Sequence, residues 1–214
     1  MSLRVIACFA VLAACGLGFS SARAAPVISE LFYDAVGSDA GLAFVELYGA
    51  PGESLEGLVL EGINGGNGAV YASLALSGVI PGDGVFLIGD DDGSGSTAVP
   101  GADLVGSVDY QNGPDSVVLR DSGSVIDAVG YGSFGATDIF AGEGDAAPDP
   151  AAGSSIARLN PVLDTDDNGV DFAVLAIPTP GSVPALSSVP LPPGIALFAS
   201  GFMGLVSVAR RRLR

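Results

Sequence analysis

The residues best placed to do chemistry form an acidic segment between positions 164 and 171. Asp164, Asp166 and Asn168 are spaced two residues apart, a glycine follows them, and the segment ends on Asp171. Oxygen-bearing side chains at alternate positions followed by glycine are typical of loops that bind calcium, because the oxygens can converge on one hard cation. A full EF-hand loop has a glutamate at its twelfth position, and Leu175 stands at that position here. Two interpretations stay open, a reduced calcium loop and a turn capped by its own Asp and Asn side chains.

Two other acidic features are weaker candidates for a site. Asp90, Asp91 and Asp92 precede a Gly/Ser segment, and this pattern predicts an exposed charged turn, with a calcium loop as the alternative. Glu30 and Glu46 lie on neighbouring predicted strands, and paired carboxylates can hydrolyse glycosides. The sequence has no tryptophan that would form a sugar-binding platform. We therefore do not expect glycosidase activity.

The distribution of histidine and cysteine excludes several kinds of site. There is no histidine, and the two cysteines, Cys8 and Cys15, both lie near the N-terminus. A structural zinc site and Ser–His or Cys–His catalysis are therefore excluded for the rest of the chain. The same distribution leaves no disulfide to stabilise the body, so packing must suffice. The sequence predicts a protein that is not an enzyme.

The charge of the chain is strongly asymmetric. Lysine is absent, and between residues 25 and 183 only Arg120 and Arg158 face all 24 acidic residues, which is a formal charge of −22. Such a field repels phosphate backbones, so we do not expect nucleic-acid binding. It keeps the protein soluble and attracts divalent cations.

Residues 1–24 have the features of a secretory signal peptide. Arg4 precedes an apolar stretch, and Ala22, Arg23 and Ala24 form a small-residue cleavage site. The residues leading to Cys15 also fit a lipoprotein signal, in which that cysteine would be acylated. Both kinds of processing predict export across the inner membrane.

The other end of the chain has three parts: a Pro-rich linker at 182–193, an uncharged apolar run at 194–209 and a basic end at 210–214. As a helix the apolar run would span about 24 Å, which is short of the roughly 30 Å hydrocarbon core but compatible with insertion. Arg210, Arg211 and Arg212 would stop on the cytoplasmic side and leave the body across the membrane. The alternative is a buried core helix with a basic end, which its uniform apolarity disfavours.

This tail resembles the C-terminal sorting signals of the PEP-CTERM type that exosortases process in Gram-negative bacteria. One variant carries Val-Pro-Leu-Pro-Ala, and here Pro193 stands where that variant has alanine. The resemblance implies cleavage near the motif by an exosortase-type enzyme, followed by release or attachment at the cell surface. The matching residues of the motif are Val189, Pro190, Leu191 and Pro192.

The body between the two ends predicts an all-β fold. Short apolar runs alternate with Gly-, Pro- and Asp-rich turns, and before the tail no segment keeps a helical period. Residues 133–155 are predicted to be a long surface loop, and Glu46 is predicted to lie on a solvated strand face. The predicted strands are Val27–Tyr33, Phe44–Tyr48, Leu58–Glu61, Ala69–Leu74, Val85–Gly89, Leu104–Val108, Ser116–Arg120, Val125–Tyr131 and Phe172–Leu175.

Several blocks of the body resemble, in order, a bacterial lamin-tail domain. The match extends over residues 25–181 and implies an immunoglobulin-like β-sandwich without a common enzymatic activity. Together with the two predicted end signals and a body without catalytic groups, this resemblance predicts a secreted structural or adhesive module of the envelope or matrix, with an extracellular polysaccharide or a surface protein as partner. A calcium-dependent glycan- or protein-binding module is the alternative. The matching blocks are residues 25–31, 44–48, 55–58, 80–84, 111–119, 125–131, 154–158, 164–172 and 178–181.

Overall fold

The structure is a computed structural model that describes residues 25–183. Within this range the chain forms ten strands and one short helix, α1 (Asn168–Asp171). The strands are β1 (Val27–Phe32), β2 (Phe44–Tyr48), β3 (Leu58–Asn64), β4 (Val70–Ala75), β5 (Val85–Asp90), β6 (Leu104–Gly106), β7 (Asp115–Asp121), β8 (Ser124–Tyr131), β9 (Ser155–Arg158) and β10 (Phe172–Leu175).

The strands form two sheets that pack face to face. One sheet has six strands in the order β10-β9-β1-β2-β5-β6, and the other has four in the order β4-β3-β7-β8. Neighbouring strands are antiparallel, except that β6 runs parallel to β5. This arrangement confirms the all-β sandwich predicted from the sequence.

The core lies between the sheets and is built from alternating apolar residues. Val45 and Leu47 on β2 are fully buried against Leu60 of β3 and Leu119 of β7. Such burial is worth about 1.5–3 kcal/mol per large side chain. Tyr33 and Tyr131 stack with ring centroids 4.2 Å apart. The core therefore ties the two sheets together without a disulfide.

Each predicted strand is present, with ends that shift by a few residues. The prediction missed β9, because a four-residue run that ends in arginine has neither the alternation nor the length of an obvious strand. Residues 133–154 hold no strand, in agreement with the predicted loop. This loop nevertheless packs on the sheet, since Phe134 and Phe140 meet at 4.9 Å and Phe140 covers Gly130.

The outer face of the six-stranded sheet is covered rather than solvated, so the prediction for Glu46 is wrong. Glu46 is completely buried. Beside it Phe44 and Leu87 form a second apolar cluster with Val99, which comes from the segment between β5 and β6. Residues 178–182 cross the same face. Two distant segments therefore bury a strand face whose own sequence looks half polar.

The predicted signal peptide and nearly all of the predicted sorting tail lie outside the described residues. These are the signal peptide at 1–24 and the tail from residue 184 onward, which includes the sorting motif, the apolar run and the terminal arginines. Residues 182 and 183 of the predicted linker are described and hold no helix or strand. No helix within 25–183 has the length and apolarity needed to cross a membrane.

Candidate functional site

The most concentrated group of charges surrounds Arg158, the last residue of β9. Its side chain is fully buried, and the guanidinium lies 4.8 Å from the ring centroid of Phe172. Nη2 donates to Asp127 Oδ1 at 3.0 Å, and Nη1 donates to Asp171 Oδ2 at 2.8 Å. Nη1 also donates to Asp164 Oδ1 at 3.0 Å. One cation thus holds three carboxylates from two parts of the chain.

These contacts join four elements at one end of the sandwich. The Nε atom of Arg158 donates to the carbonyl oxygen of Ile28 on β1 at 3.2 Å, and Asp127 Oδ2 on β8 accepts from the backbone N–H of Ile28. A planar guanidinium can satisfy several acceptors at fixed angles, which suits it to a buried position. Buried charges are tolerated only when they are paired in this way. The group therefore has a clear structural role.

A further carboxylate, Glu143, completes a group with the chemistry of a cation site. One oxygen each from Asp127, Glu143 and Asp164 lies within 4.8 Å of the others. Among the described residues, Glu143 Oε2 is buried and has no hydrogen-bond partner. Three converging carboxylates supply the hard oxygen ligands that calcium prefers.

The pKa values of this group reflect burial and crowding. Burial raises the pKa of Glu143 to about 7, with the negative charge of Asp127 as the next cause. Burial also raises the pKa of Asp127 to about 6, against the opposing charge of Arg158. The group therefore carries less negative charge near neutral pH than its formal count. A cation that bound here would displace protons.

The acidic segment predicted to bind calcium only partly enters this group. Asp164 belongs to it, whereas Asp166 is exposed with a φ of 54°. Asp171 accepts from Arg158, and also from the backbone N–H and the hydroxyl of Thr165 at 2.9 and 2.8 Å. Asp164 and Asp171 thus meet at Arg158, whereas Asp166 joins them only through its backbone N–H, which donates to Asp164 Oδ1 at 3.3 Å.

Asn168 points in another direction, toward the free edge of β8. Its Oδ1 accepts from the backbone N–H of Gly130 at 2.8 Å and of Glu143 at 2.9 Å, and its Nδ2 donates to the carbonyl of Ala128 at 2.8 Å. The carboxamide thereby takes the place of a neighbouring strand. It begins α1, whose N-cap Asp167 accepts from the backbone N–H of Gly169 at 3.0 Å.

Sequence reasoning missed Asp127, Glu143 and Arg158. Arg158 did carry a signal, because it is one of only two cations in a strongly acidic body and follows two apolar residues. Asp127 stands between apolar residues of a predicted strand, which marks it as a candidate for a buried partner. Glu143 lies in a Gly- and Ala-rich loop, where nothing in the pattern indicates that its side chain folds inward.

Glu30 binds the last described segment of the chain from the outer face of the six-stranded sheet. Its Oε1 accepts from the hydroxyl of Ser155 and from the backbone N–H of Thr179, and its Oε2 accepts from the hydroxyl of Thr179 at 2.6 Å. Both oxygens are therefore occupied by donors of this chain.

Glu46 binds the other end of the same turn. Its Oε1 accepts from the hydroxyl of Ser29 at 2.9 Å, and its Oε2 accepts from the backbone N–H of Gly181 at 3.0 Å. Burial raises the pKa of Glu46 to about 7, and the neighbouring charge of Glu30 adds to that rise. This pair, considered from sequence for glycoside hydrolysis, holds residues 179–181 on the sheet.

The second acidic loop divides into a buried and an exposed part. Asp90 is buried and accepts from the backbone N–H groups of Gly41, Val108 and Asp109. Asp91 and Asp92 accept from backbone N–H groups of the Gly/Ser residues that follow them. The predicted charged turn is thus present, but its first residue anchors two other segments.

No family model, curated protein or solved structure matches this chain. Function is therefore inferred from the geometry of the side chains and from the patterns in the sequence.

Proposed function

We propose that this protein is a secreted, surface-sorted, non-enzymatic structural or adhesive module of the cell envelope or extracellular matrix. In this proposal the chain is exported across the inner membrane of a Gram-negative bacterium. It is held transiently by its C-terminal helix and processed by an exosortase-type enzyme. Its partner is an extracellular polysaccharide or another surface protein.

One observation carries the proposal: the sheet binds the last described segment of the chain, residues 179–181, directly before the predicted linker. Thr179 and Gly181 are bound by two buried carboxylates on the outer sheet, and the predicted linker begins at residue 182. Within the described residues, the last side-chain bonds to the sheet thus lie directly before the predicted linker. Such a boundary suits a folded domain that is sorted and cleaved through its C-terminal tail. A pulling force on the linker would act on the hydrogen bonds to the sheet and not on the core.

The finer fold assignment supports the same function. Most of the blocks that resemble a lamin-tail domain fall on β1, β2, β7, β8 and β9 and on the 178–181 turn, and the others fall mainly on connections between strands. An immunoglobulin-like sandwich of this family is a scaffold that presents surfaces. Fold alone does not name a ligand, so the partner is proposed only by class.

Removing the tail tests whether it acts as a sorting signal. A chain that ends at residue 187 is expected to accumulate in the medium, whereas the full-length protein fractionates with the membrane or the cell surface. A matched variant, Val189→Ala with Pro190→Ala, keeps the apolar run and alters only the motif. It is expected to stay in the membrane uncut, as a larger species on a denaturing gel. Unchanged localisation of the truncated chain would contradict the proposal.

A calcium-dependent binding module is the second candidate, and the meeting of Asp127, Glu143 and Asp164 favours it. Calcium takes 6–8 oxygen ligands at about 2.3–2.6 Å, so these three would supply part of its shell and backbone oxygens or water the rest. Arg158 opposes binding because its charge already neutralises two of the carboxylates. Because the pKa of Glu143 is about 7, this residue loses its proton as pH rises, and the site would then bind calcium more tightly.

Titration calorimetry with CaCl₂ tests this second candidate. Binding at pH 8 that weakens at pH 6 and disappears in Glu143→Gln would support it. Asp149→Asn, which removes an exposed charge elsewhere, is the matched control and is expected to bind like the wild type. No heat and no rise in melting temperature at millimolar calcium would exclude it.

A further inference from the structure

The exposed edge of the four-stranded sheet differs from the rest of this acidic surface. β4 borders only β3, and its other edge meets no strand of the described chain. No charged residue occurs between Glu61 and Asp83, a stretch that contains the turn between β3 and β4 and the whole of β4. Within residues 25–183 this is the longest run without a charge. An open edge without charge or proline is the usual template for pairing with another strand.

The register shows which backbone groups are available on this edge. Leu76 donates its backbone N–H to the carbonyl of Leu58, and residues of an antiparallel pair alternate between facing their partner and facing away. Ala72 and Leu74 therefore face β3, whereas the N–H and C=O groups of Ser73 and Ala75 point outward. Within the described chain these outward groups have no backbone partner.

The edge has one irregular end and one regular end. Ile63 pairs with Val70 and Gly62 pairs with Ala72, so Tyr71 is the extra residue of a bulge. Beyond the bulge the pairing from Ala72 to Ala75 is regular. The usable template is therefore centred on Ser73 and Ala75, whose side chains are exposed.

The other sheet edges are protected. On β8, Asn168 occupies the groups of Gly130 and Ala128, and the backbone N–H of Ala147 donates to the carbonyl of Gly130. β6 has three residues and runs parallel to β5, and β10 has four, whereas β4 has six. Among the described strands, β4 is therefore the longest edge strand whose outer side is left open.

We propose that β4 is a self-association surface, on which the β4 strands of two copies pair antiparallel about a two-fold axis near Ser73 and join their four-stranded sheets into one sheet of eight. The occupant is a second copy for reasons of charge and symmetry. Two bodies of charge −22 repel each other, and the uncharged edge is where they can approach without opposing carboxylates. A two-fold axis lets one edge serve both partners, so no second surface is needed.

The pairing is weak and depends on salt. Two edges of this length bury less than the roughly 1,200 Å² of a stable specific interface, so we expect a dissociation constant of about 0.1–1 mM. Salt shortens the range of the repulsion between the bodies, from a Debye length of about 30 Å at 0.01 M to about 3 Å at 1 M. Association therefore strengthens as NaCl is added. The pairing is a property of the body and does not depend on how the chain is sorted.

Sedimentation equilibrium of residues 25–183, which contain both sheets and the whole core, tests this proposal. In 0.5 M NaCl the average mass is expected to rise toward that of a dimer as the protein approaches about 1 mM. In the symmetric pair position 73 faces its own copy, so Ser73→Glu places two like charges side by side and weakens association by roughly fivefold. Ala75→Glu provides a second edge variant.

The matched control is Ala152→Glu, which adds the same charge to an exposed turn of the other sheet. It is expected to associate within about twofold of the wild type, since it changes the net charge alone. Melting temperatures near that of the wild type show that the variants fold. Hydrogen exchange of the Ser73 and Ala75 amides is expected to slow as the protein is concentrated. A monomer at all concentrations, or a dimer that neither edge variant weakens, overturns the proposal.

Discussion

Glu30 of β1 lies directly opposite Glu46 of β2, and the two buried carboxylates bind the two ends of a single turn, at Thr179 and Gly181. Like charges in register normally destabilise a sheet. Here the donors of the turn and two serine hydroxyls offset part of that repulsion. Burial and the neighbouring charge keep the pKa of Glu46 near neutrality, so part of the repulsion is removed by a proton.

The first prediction concerns the pH dependence of stability. The pKa of Glu46 rises from an ordinary value of 4.5 to about 7, so the folded chain holds a proton that the unfolded chain releases. Its stabilising contribution is full below about pH 4.5 and is lost as pH rises through 7, by up to about 3 kcal/mol. The pKa of Asp127 is also raised, to about 6, so this carboxyl group contributes in the same direction. Urea unfolding at pH 5 and pH 8 should show a more stable protein at pH 5.

Glu46→Gln isolates the contribution of this carboxylate. The amide cannot ionise, so the loss of stability between pH 5 and pH 8 should be smaller than in the wild type by about 1–3 kcal/mol. Glu56→Gln, at an exposed position, should leave the pH profile unchanged. A full wild-type slope in Glu46→Gln would show that Glu46 is ionised throughout the range.

The second prediction compares the two arginines of the body. Arg158→Met strands the buried carboxylates of Asp127 and Asp171, and breaking such a group by removing one partner costs about 3–5 kcal/mol. Arg120→Met breaks a more exposed pair with Glu61 and should cost about 1 kcal/mol or less. Urea unfolding at pH 7 measures both. Equal losses would contradict the structural role of Arg158.

The sequence predicts the strands of this fold well because each strand is a local pattern. Val85–Ile88 is a continuous apolar run and Phe44–Tyr48 alternates, and both are strands. The burial of Glu46 was not predictable in this way. Its environment is built by residues near 99 and 181, and no periodicity within β2 reports on segments that distant.

The candidate site shows the same limit. The spacing of Asp164, Asp166 and Asn168 suggested one convergent loop, yet each side chain goes to a different place. Asp164 turns to Arg158, and Asn168 turns to the edge of β8. The positions of these partners are set by the pairing of β9 with β1 and β10, which is a property of the topology.

The third prediction tests Asn168 as a substitute strand. Asn168→Ala removes three hydrogen bonds and leaves the N–H of Gly130 and the carbonyl of Ala128 without their partner, which should cost about 2–4 kcal/mol. The exposed Asp166→Asn in the same segment should change stability by less than about 0.5 kcal/mol. Hydrogen exchange at the Gly130 amide should accelerate selectively. Unchanged protection there would mean that another group covers this edge.

The last prediction concerns the turn at residues 179–181, where the chain leaves the sheet. Thr179→Val keeps the shape of the side chain but removes the hydroxyl that donates to Glu30 Oε2, so a buried carboxylate oxygen loses its donor. The turn should then open locally at a cost of about 1–3 kcal/mol, while the core strands keep their protection. Limited proteolysis should cut near residues 178–183 faster than in the wild type. Ser182→Ala, which removes only a hydroxyl bond inside the turn, is the control and should cleave at nearly the wild-type rate. Equal cleavage of all three chains would show that Glu30 does not hold the turn in place.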